Sequence, residues 1–431
     1  IRSRAVDRFH VEAALSVPAF GHASWHVEMR PQRKATRPAA RNRVKVDAKA
    51  RLVETDLIKL KVASDGTLEL YDKPAGVRYT GLHVFEDCGD AGEGWNHVYP
   101  TRDRRILSTD RRAAGRPRVK IVRAGALSAD MRISLSMRVP RDLVDADTGK
   151  PFAGREKRTA RTKALTTLAI ETVFTVTAGE RRVDCRTIVR NSACCHRLGV
   201  LFPTRRKTDE WSADSAFDIV RRPIKLIDTT GWLEEARPEH ITKSFAAISD
   251  RRGGLAVITK GLSEAAARDD RERTLAMTLF RAFRENLNHE VTRDSQVQGE
   301  LTFEYAILPF TPDKGRVPAK LFAQCERFRM PVWSFTRLAD GAVPPAEKLI
   351  ELSANAVLST LKVSEDGKAL VARLVNPDTE AARVTLKPGF TYRSVSKADS
   401  LEKRTGGVSC RAGAVSLKLR PKEVVTLRFD L

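Results

Sequence analysis

No stretch of the chain stays apolar for the roughly 18 to 20 residues that a membrane-spanning helix needs. No membrane partner is therefore expected. Aromatic residues are scarce at 6%, too few for a protein that stacks single-stranded bases. There is no heptad pattern, collagen period, low-complexity tract or internal repeat. No GxSxG, HExxH, Walker or GxGxxG motif stands in a context that would give it chemistry. The six cysteines, Cys88, Cys185, Cys194, Cys195, Cys325 and Cys410, make no CxxC pair. Their spacing suits neither a disulfide framework nor a zinc knuckle, because the adjacent Cys194 and Cys195 cannot easily both turn to one tetrahedral ion. Reduced, mostly buried thiols and a cytoplasmic location are expected. The opening residues lack a secretory apolar core. Ile1 in place of Met points to a removed start or to a longer parent.

Negative charge is also in short supply. Against 77 Lys and Arg stand 54 Asp and Glu, a formal net charge of +23 over 431 residues. Such a balance attracts polyanions. The basic residues are spread singly or in pairs along the chain, which is the pattern of a solvated surface. The densest stretch, residues 30–51, has no hydrophobic period and reads as an exposed connector. No helix-turn-helix, zinc finger or RNP-like motif accompanies the charge, so no specific nucleic-acid partner is expected.

What is present is period-two alternation. LIKLKVASDGTLELYDK (57–73) reads as a hairpin turning at Ser64-Asp65-Gly66. Residues 131–139 alternate, and 167–191 read as two strands about Ala178-Gly179-Glu180. Residues 253–261, 274–283 and 298–310 are further strands, and strands recur through the last eighty residues. The best helix candidate, PPAEKLIEL (344–352), serves equally as a connector. The pattern predicts a mainly β protein of packed antiparallel sandwiches. Four sections are expected: an N-terminal strand (FHVEAALSVP) and basic connector (1–51), a large β-sandwich (52–310), a Pro-marked crossing segment (311–345), and a C-terminal β-sandwich of about seven strands (346–431).

Three segments carry candidate chemistry. VFEDCGDAGEGWNHVYP (84–100) packs carboxylates, glycines and aromatics into what reads as a tight loop. Asp90, Glu93, Trp95 and Asn96 are groups that hold sugars, the carboxylates as hydroxyl acceptors and the indole as a flat apolar face. In NSACCHRLGVLFPT (191–204), Arg197 is set to brace a neighbouring loop or face a ligand. In GLSEAAARDDRERTLAMTLFR, Glu264, Asp269 and Asp270 with Arg271 offer paired carboxylates for acid/base work, but the segment reads chiefly as a solvated turn. His22 and His26 share a spacing but sit in a turn-and-strand context, so no metal site is assigned.

Taken in order, DGTLELYDKPAGVRYTGLHVFEDCGDAGEGWNHVYP, RRVDCRTIVRNSACCHRLGVLFPT, AFDIVRRPI, GLAVITKGLSEAAARDDRERTLAMTLFRAF and LTFEYAILPF resemble the C-terminal half of the family 38 glycoside hydrolases, the α-mannosidases. The last block, from ANAVLSTLKVSEDG to LKLRPKEVVTLRFDL, is similar to that family's terminal β-domain. The pattern is nearest the bacterial branch that includes mannosylglycerate hydrolases. The resemblance implies a galactose-mutarotase-like β-sandwich body, with the catalytic α/β barrel absent from these residues. It implies a retaining glycosidase in which an Asp nucleophile and a general acid flank the bond and zinc orients the mannose. The nucleophile, the acid and the zinc ligands lie outside this sequence, so no catalytic or metal residue is assigned. The loop GEGWNHVYP matches one that places an aromatic, commonly Tyr, against the substrate. Trp95 takes that place here, and Arg271 or Arg268 matches a basic residue of the family's site.

The leading expectation is the C-terminal region of an α-mannosidase-like enzyme. It would bury one face of the barrel and complete a mannoside pocket, and it would be inactive alone. The barrel would be its partner, in the same polypeptide or as a separate subunit. The alternative is a free-standing carbohydrate-binding sandwich without catalysis. The two differ in one physical respect: a barrel partner requires an uncovered apolar patch.

Overall fold

The computed structural model describes residues 13–18, 20–25, 43–150, 158–233, 235–286, 291–330, 332–334, 346–353 and 356–431. Every strand pair in its sheets is antiparallel. The alternating segments form strands where their period places them. Ile58–Val62 and Leu68–Asp72 pair across the Asp65-Gly66 turn, with every second residue buried. Leu165–Thr177 and Val183–Asn191 flank the turn at Gly179.

The main body has two layers. One is a nine-stranded sheet that includes Ser128–Pro140, Leu165–Thr177, Val183–Asn191, Gly254–Lys260 and Gly299–Phe310. The other consists of a five-stranded meander (Lys45 to Leu82) and a six-stranded sheet. They meet at His83, whose N–H donates to the Leu201 carbonyl at 2.9 Å. A single apolar core lies between the layers, with Leu60, Leu70, Phe85, Phe174, Phe202, Leu255, Met277 and Ile307 inside it. Alternation in Gly299–Phe310 then decides a second core. Tyr305 and Ile307 face inward, while Ala306, Leu308 and Phe310 face out under the helix Leu321–Arg329.

The last residues form a smaller sandwich of a four-stranded and a five-stranded sheet around Leu374, Leu386, Leu427 and Phe429. Among the described residues it has nine strands where the alternation suggests about seven; Ser394–Ala398, Arg404–Gly407 and Cys410–Arg411 are short and polar and give little alternation to read.

Several expectations need correction. The helix candidate at 344–352 is two short strands, Ala346–Lys348 and Ile350–Leu352; residues 344 and 345 lie outside the described set. Leu352 pairs with Leu386, so Ile350 and Leu352 feed the small core with period two. The helix forms instead inside the crossing segment, where Leu321 and Cys325 at i and i+4 bury against the nine-stranded sheet. Much of that segment beyond the helix, 331 and 335–345, lies outside the described residues. The basic stretch 30–51 is not wholly connector: Lys45–Asp47 is the first strand of the meander, paired with Leu52–Glu54, while 30–42 lie outside the described set. The strand expected at FHVEAALSVP is irregular over 13–18, and 9–12 lie outside the described set. Gly21–Ala23 is the first strand and pairs with Ala346–Lys348; His22 lies on it, and His26 is outside the described residues.

Candidate functional site

The segment 84–100 is only partly a loop. Val84–Gly89 is a fully buried strand of the six-stranded sheet, lying between His196–Pro203 and Ile106–Leu107. The glycines that suggested a loop, Gly92 and Gly94, come after this strand. From Asp90 to Pro100 the chain folds back over the strand's end.

Two carboxylates hold that loop from beneath. Asp90 is 1% exposed; its Oδ1 accepts the Gly92 N–H at 2.9 Å and its Oδ2 accepts Arg281 Nε at 2.8 Å. Arg281 Nη2 also donates to the carbonyls of Glu93 and Asn96, both at 2.8 Å. Glu93, itself buried, accepts the Trp95 N–H at 2.7 Å and the Asn96 N–H at 3.1 Å. Gly92 is required at its place, because a Cβ there would stand 1.9 Å from the Asn96 carbonyl oxygen. His97 closes the base. Its Nε2 lies 3.0 Å from the Gly89 carbonyl, and burial pulls its pKa down to about 4, so the neutral ring donates there.

Asp90 and Glu93 therefore serve the loop's own backbone. What the loop presents is Trp95, 73% exposed at its tip. Asn96 is half-buried beside it. An exposed indole on a rigid base offers a stacking face whose ordering entropy is already spent on folding.

Arg197 stands on the outer face of the same sheet. It is buried, donating from Nη1 to Glu239 Oε1 at 2.5 Å and from Nη2 to Tyr99 Oη at 3.0 Å. Burial opposes ionisation of Glu239, and the Arg197 guanidinium overrides it, so the carboxyl stays below its usual range. Arg105 lies over the Tyr99 ring at 4.5 Å. Arg268 pairs with both oxygens of Glu86. Arg197, Tyr99, Glu239, Arg268 and Glu86 line a recess of about 50 Å³ with Thr278 at its side. Arg197 thus does brace the loop, through Tyr99. The charged groups of the recess are spent on these internal pairs, and Leu201, Ala266, Ala276 and Met277 complete the lining.

Arg271 is elsewhere. It is exposed in the turn between Glu264–Ala267 and Thr274–Ala282. Thr274 pairs with Pro203, whereas Ala282 pairs with His196 beside the Trp95 loop. The seven steps from His196 to Pro203 on the partner strand span about 24 Å. Asp269 is tied to Arg273, and Asp270 accepts the Thr274 N–H at 3.0 Å, as a solvated turn would have them. Sequence reasoning missed Arg281 and Glu239, whereas Tyr99 stood among the aromatics of the segment 84–100. Arg281 had a signal: it is a charge inside the apolar strand TLAMTLFRAF, where a buried carboxylate is its natural partner.

The Cys194-Cys195-His196 run diverges. His196 points into the body, with Nδ1 2.5 Å from Asp87 Oδ2 and Nε2 3.0 Å from Asn191 Oδ1. The two sulfurs face different partners, Gln298 and Gln296. Among the described residues no three His, Cys, Asp or Glu side chains converge as a metal would require.

These observations define an antiparallel two-sandwich protein with a braced aromatic loop at one sheet end. Comparison with known proteins extends this. The signature of the glycosyl hydrolases family 38 C-terminal domain matches residues 53–289, and that of the family 38 C-terminal β-sandwich domain matches 355–427. The chain belongs to glycosyl hydrolase family 38. A relative from Halalkalibacterium halodurans named "Putative mannosylglycerate hydrolase" is 24% identical over 400 residues, covering 91% of this chain and 43% of the relative. An α-mannosidase structure from Enterococcus faecalis V583 superposes with TM-score 0.77 at 24% identity, covering 90% of this chain and 43% of the other. A second Enterococcus faecalis family 38 structure gives TM-score 0.78 at 22% identity, covering 93% and 46%. At these identities the superpositions show the fold. The chain spans less than half the length of each.

Proposed function

We propose that this chain is the C-terminal β-region of an α-mannosidase-type retaining glycoside hydrolase. It covers one face of the catalytic barrel and completes the mannoside pocket with the loop 90–100. The observation that carries the reading is Trp95, exposed at the tip of a loop that two buried carboxylates and Arg281 hold rigid. Family membership and the matched half-length support it. The uncovered side chains Trp232, Leu233 and Ile227 lie in the loop that Arg237 ties to the His97 carbonyl at 2.9 Å, and they fit a surface that a second domain buries. Nucleophile, acid and zinc ligands belong to the upstream half under this reading, so the chain alone binds and positions but does not cleave. The substrate is a mannoside, and the surplus of Arg favours one with an acidic aglycone such as mannosylglycerate.

The test is hydrolysis of aryl α-mannosides and of mannosylglycerate with zinc present. The chain is assayed alone and joined to the segment encoded upstream. Activity is expected in the joined form only. Trp95→Ala in that form should raise KM about ten-fold, the equivalent of ~1.4 kcal/mol of stacking. Hydrolysis by the isolated chain, or an unchanged KM in Trp95→Ala, overturns the reading. Silence in both forms with saturable glycan binding by the chain supports a stand-alone binding module instead.

A further inference from the structure

The loop that carries Trp95 is gripped by a second loop as well as from beneath. Residues 224–238 connect the strands Asp218–Pro223 and Glu239–Ile241, and so pass from the nine-stranded sheet to the six-stranded one. Thr229, buried at the centre of this connection, makes it one unit. Its carbonyl accepts the Trp232 N–H and its hydroxyl accepts the Ala236 N–H, both at 2.9 Å. Next in the chain is Arg237, half-buried, whose Nη1 donates to the His97 carbonyl at 2.9 Å. Further along, Glu239 holds Arg197, and Arg197 holds Tyr99. The stem of the second loop therefore grips the first at positions 97 and 99, just beyond the exposed indole.

The tip of the second loop is apolar and uncovered. Ile227 is 60% exposed, Trp232 63% and Leu233 102%. A side chain as free as Leu233 packs on nothing in this chain, yet the backbone beside it is hydrogen-bonded into place. Apolar side chains held out into water in this way mark a docking surface. On the α-mannosidase reading above, its occupant is the upstream half of the parent enzyme; this chain covers only 43% of the relative it matches. A force on the tip has a continuous path to the Trp95 loop, through Trp232, Thr229, Ala236, Arg237 and the His97 carbonyl.

We propose that Arg237 is a positioning residue that carries the seating of the Trp232 loop to the Trp95 loop. Docking of the tip on the upstream half then sets the stacking face in its working position before substrate arrives, which spares the ordering cost at binding. The proposal rests on the α-mannosidase reading for its partner.

A path of contacts needs a measured coupling. The experiment is a double-mutant cycle in the joined form, read by amide hydrogen exchange at Ala91, Trp95 and Asn96, whose N–H groups are bonded within the loop. Arg237→Met and Leu233→Asp should each speed that exchange about ten-fold, and the double variant should speed it no further than Arg237→Met alone. Arg237→Lys keeps a donor and should recover most of the protection. In the isolated chain, where nothing covers the tip, Leu233→Asp should change nothing, whereas Arg237→Met should still speed exchange. With an aryl α-mannoside, Arg237→Met in the joined form should raise KM about five-fold with little change in kcat. Additive effects of the two substitutions overturn the proposal. So does wild-type exchange in either single variant of the joined form. A folded joined form that cleaves no mannoside overturns the proposed function instead, and the exchange cycle still decides the role of Arg237.

Discussion

His83 shows what burial does to a single group. Its backbone is left-handed, at φ 67°, and its ring lies edge-on to Phe85 and Phe174. Nε2 is 2.6 Å from Tyr305 Oη, which in turn is 2.7 Å from Thr187 Oγ1. Burial pulls the His83 pKa from 6.5 down to about 3. The unfolded chain therefore takes up the proton first. Stabilisation from the neutral ring is complete above pH 6.5 and is lost as pH falls toward 3, at up to ~1.4 kcal/mol per unit. Urea unfolding at pH 7.5 and pH 5 checks this: His83→Asn should be less stable than wild type at the higher pH, with the gap narrowing at the lower. Arg281 shows the complementary case. Arg281→Met strands Asp90 in the interior and should cost about 3–5 kcal/mol, whereas the double variant with Asp90→Asn should recover part of it. The shift in urea midpoint of the two singles and the double measures the coupling. Neither pairing was legible in the sequence. His83 and Arg281 are far along the chain from Tyr305 and Asp90, and only the sheet register brings them together.

At the scale of elements, the loop 90–100 depends on one close approach. Gly92→Ala drives a methyl into the Asn96 carbonyl, so the loop must open. Loss of Trp95 order should follow, seen as increased iodide quenching of its fluorescence in a background where the other tryptophans are Phe. The helix Leu321–Arg329 depends on its buried seam. Leu321→Ala should destabilise the chain by about 2–5 kcal/mol, read from the urea midpoint. Strands with strict alternation, such as Ile58–Val62 and Val183–Asn191, were legible from the sequence because one face of each is core. The helix was not. Its few apolar positions acquire meaning only from the outer face of the nine-stranded sheet beneath it. Val84–Gly89 was misread as loop for a related reason: its charged Glu86 and Asp87 are buried by partners, Arg268 and Arg161, that come from distant strands.

Across the whole molecule, the two sandwiches keep separate cores and meet through polar contacts. Lys314 pairs with Glu380 at 2.8 Å, Arg316 Nη1 donates to Thr379 Oγ1 at 2.7 Å, and Lys422 reaches Asp218. A cleft of about 550 Å³ runs between these contacts. Exposed ion pairs contribute little, so the small sandwich should unfold in its own transition. Two calorimetric transitions are expected, with Lys422→Ala lowering neither by more than a few degrees. A single transition would show tighter coupling. The sequence alone determined the β class, the antiparallel pairing of neighbours and the identity of the exposed tryptophan loop, because alternation and turn chemistry are local properties. Only the tertiary structure decided that Asp90 and Glu93 serve their own backbone, that Arg271 lies a strand's length from Trp95, and that Arg281 takes the place at its base. Those outcomes depend on which distant strands lie side by side, and hydrogen-bond register, not chain order, sets that.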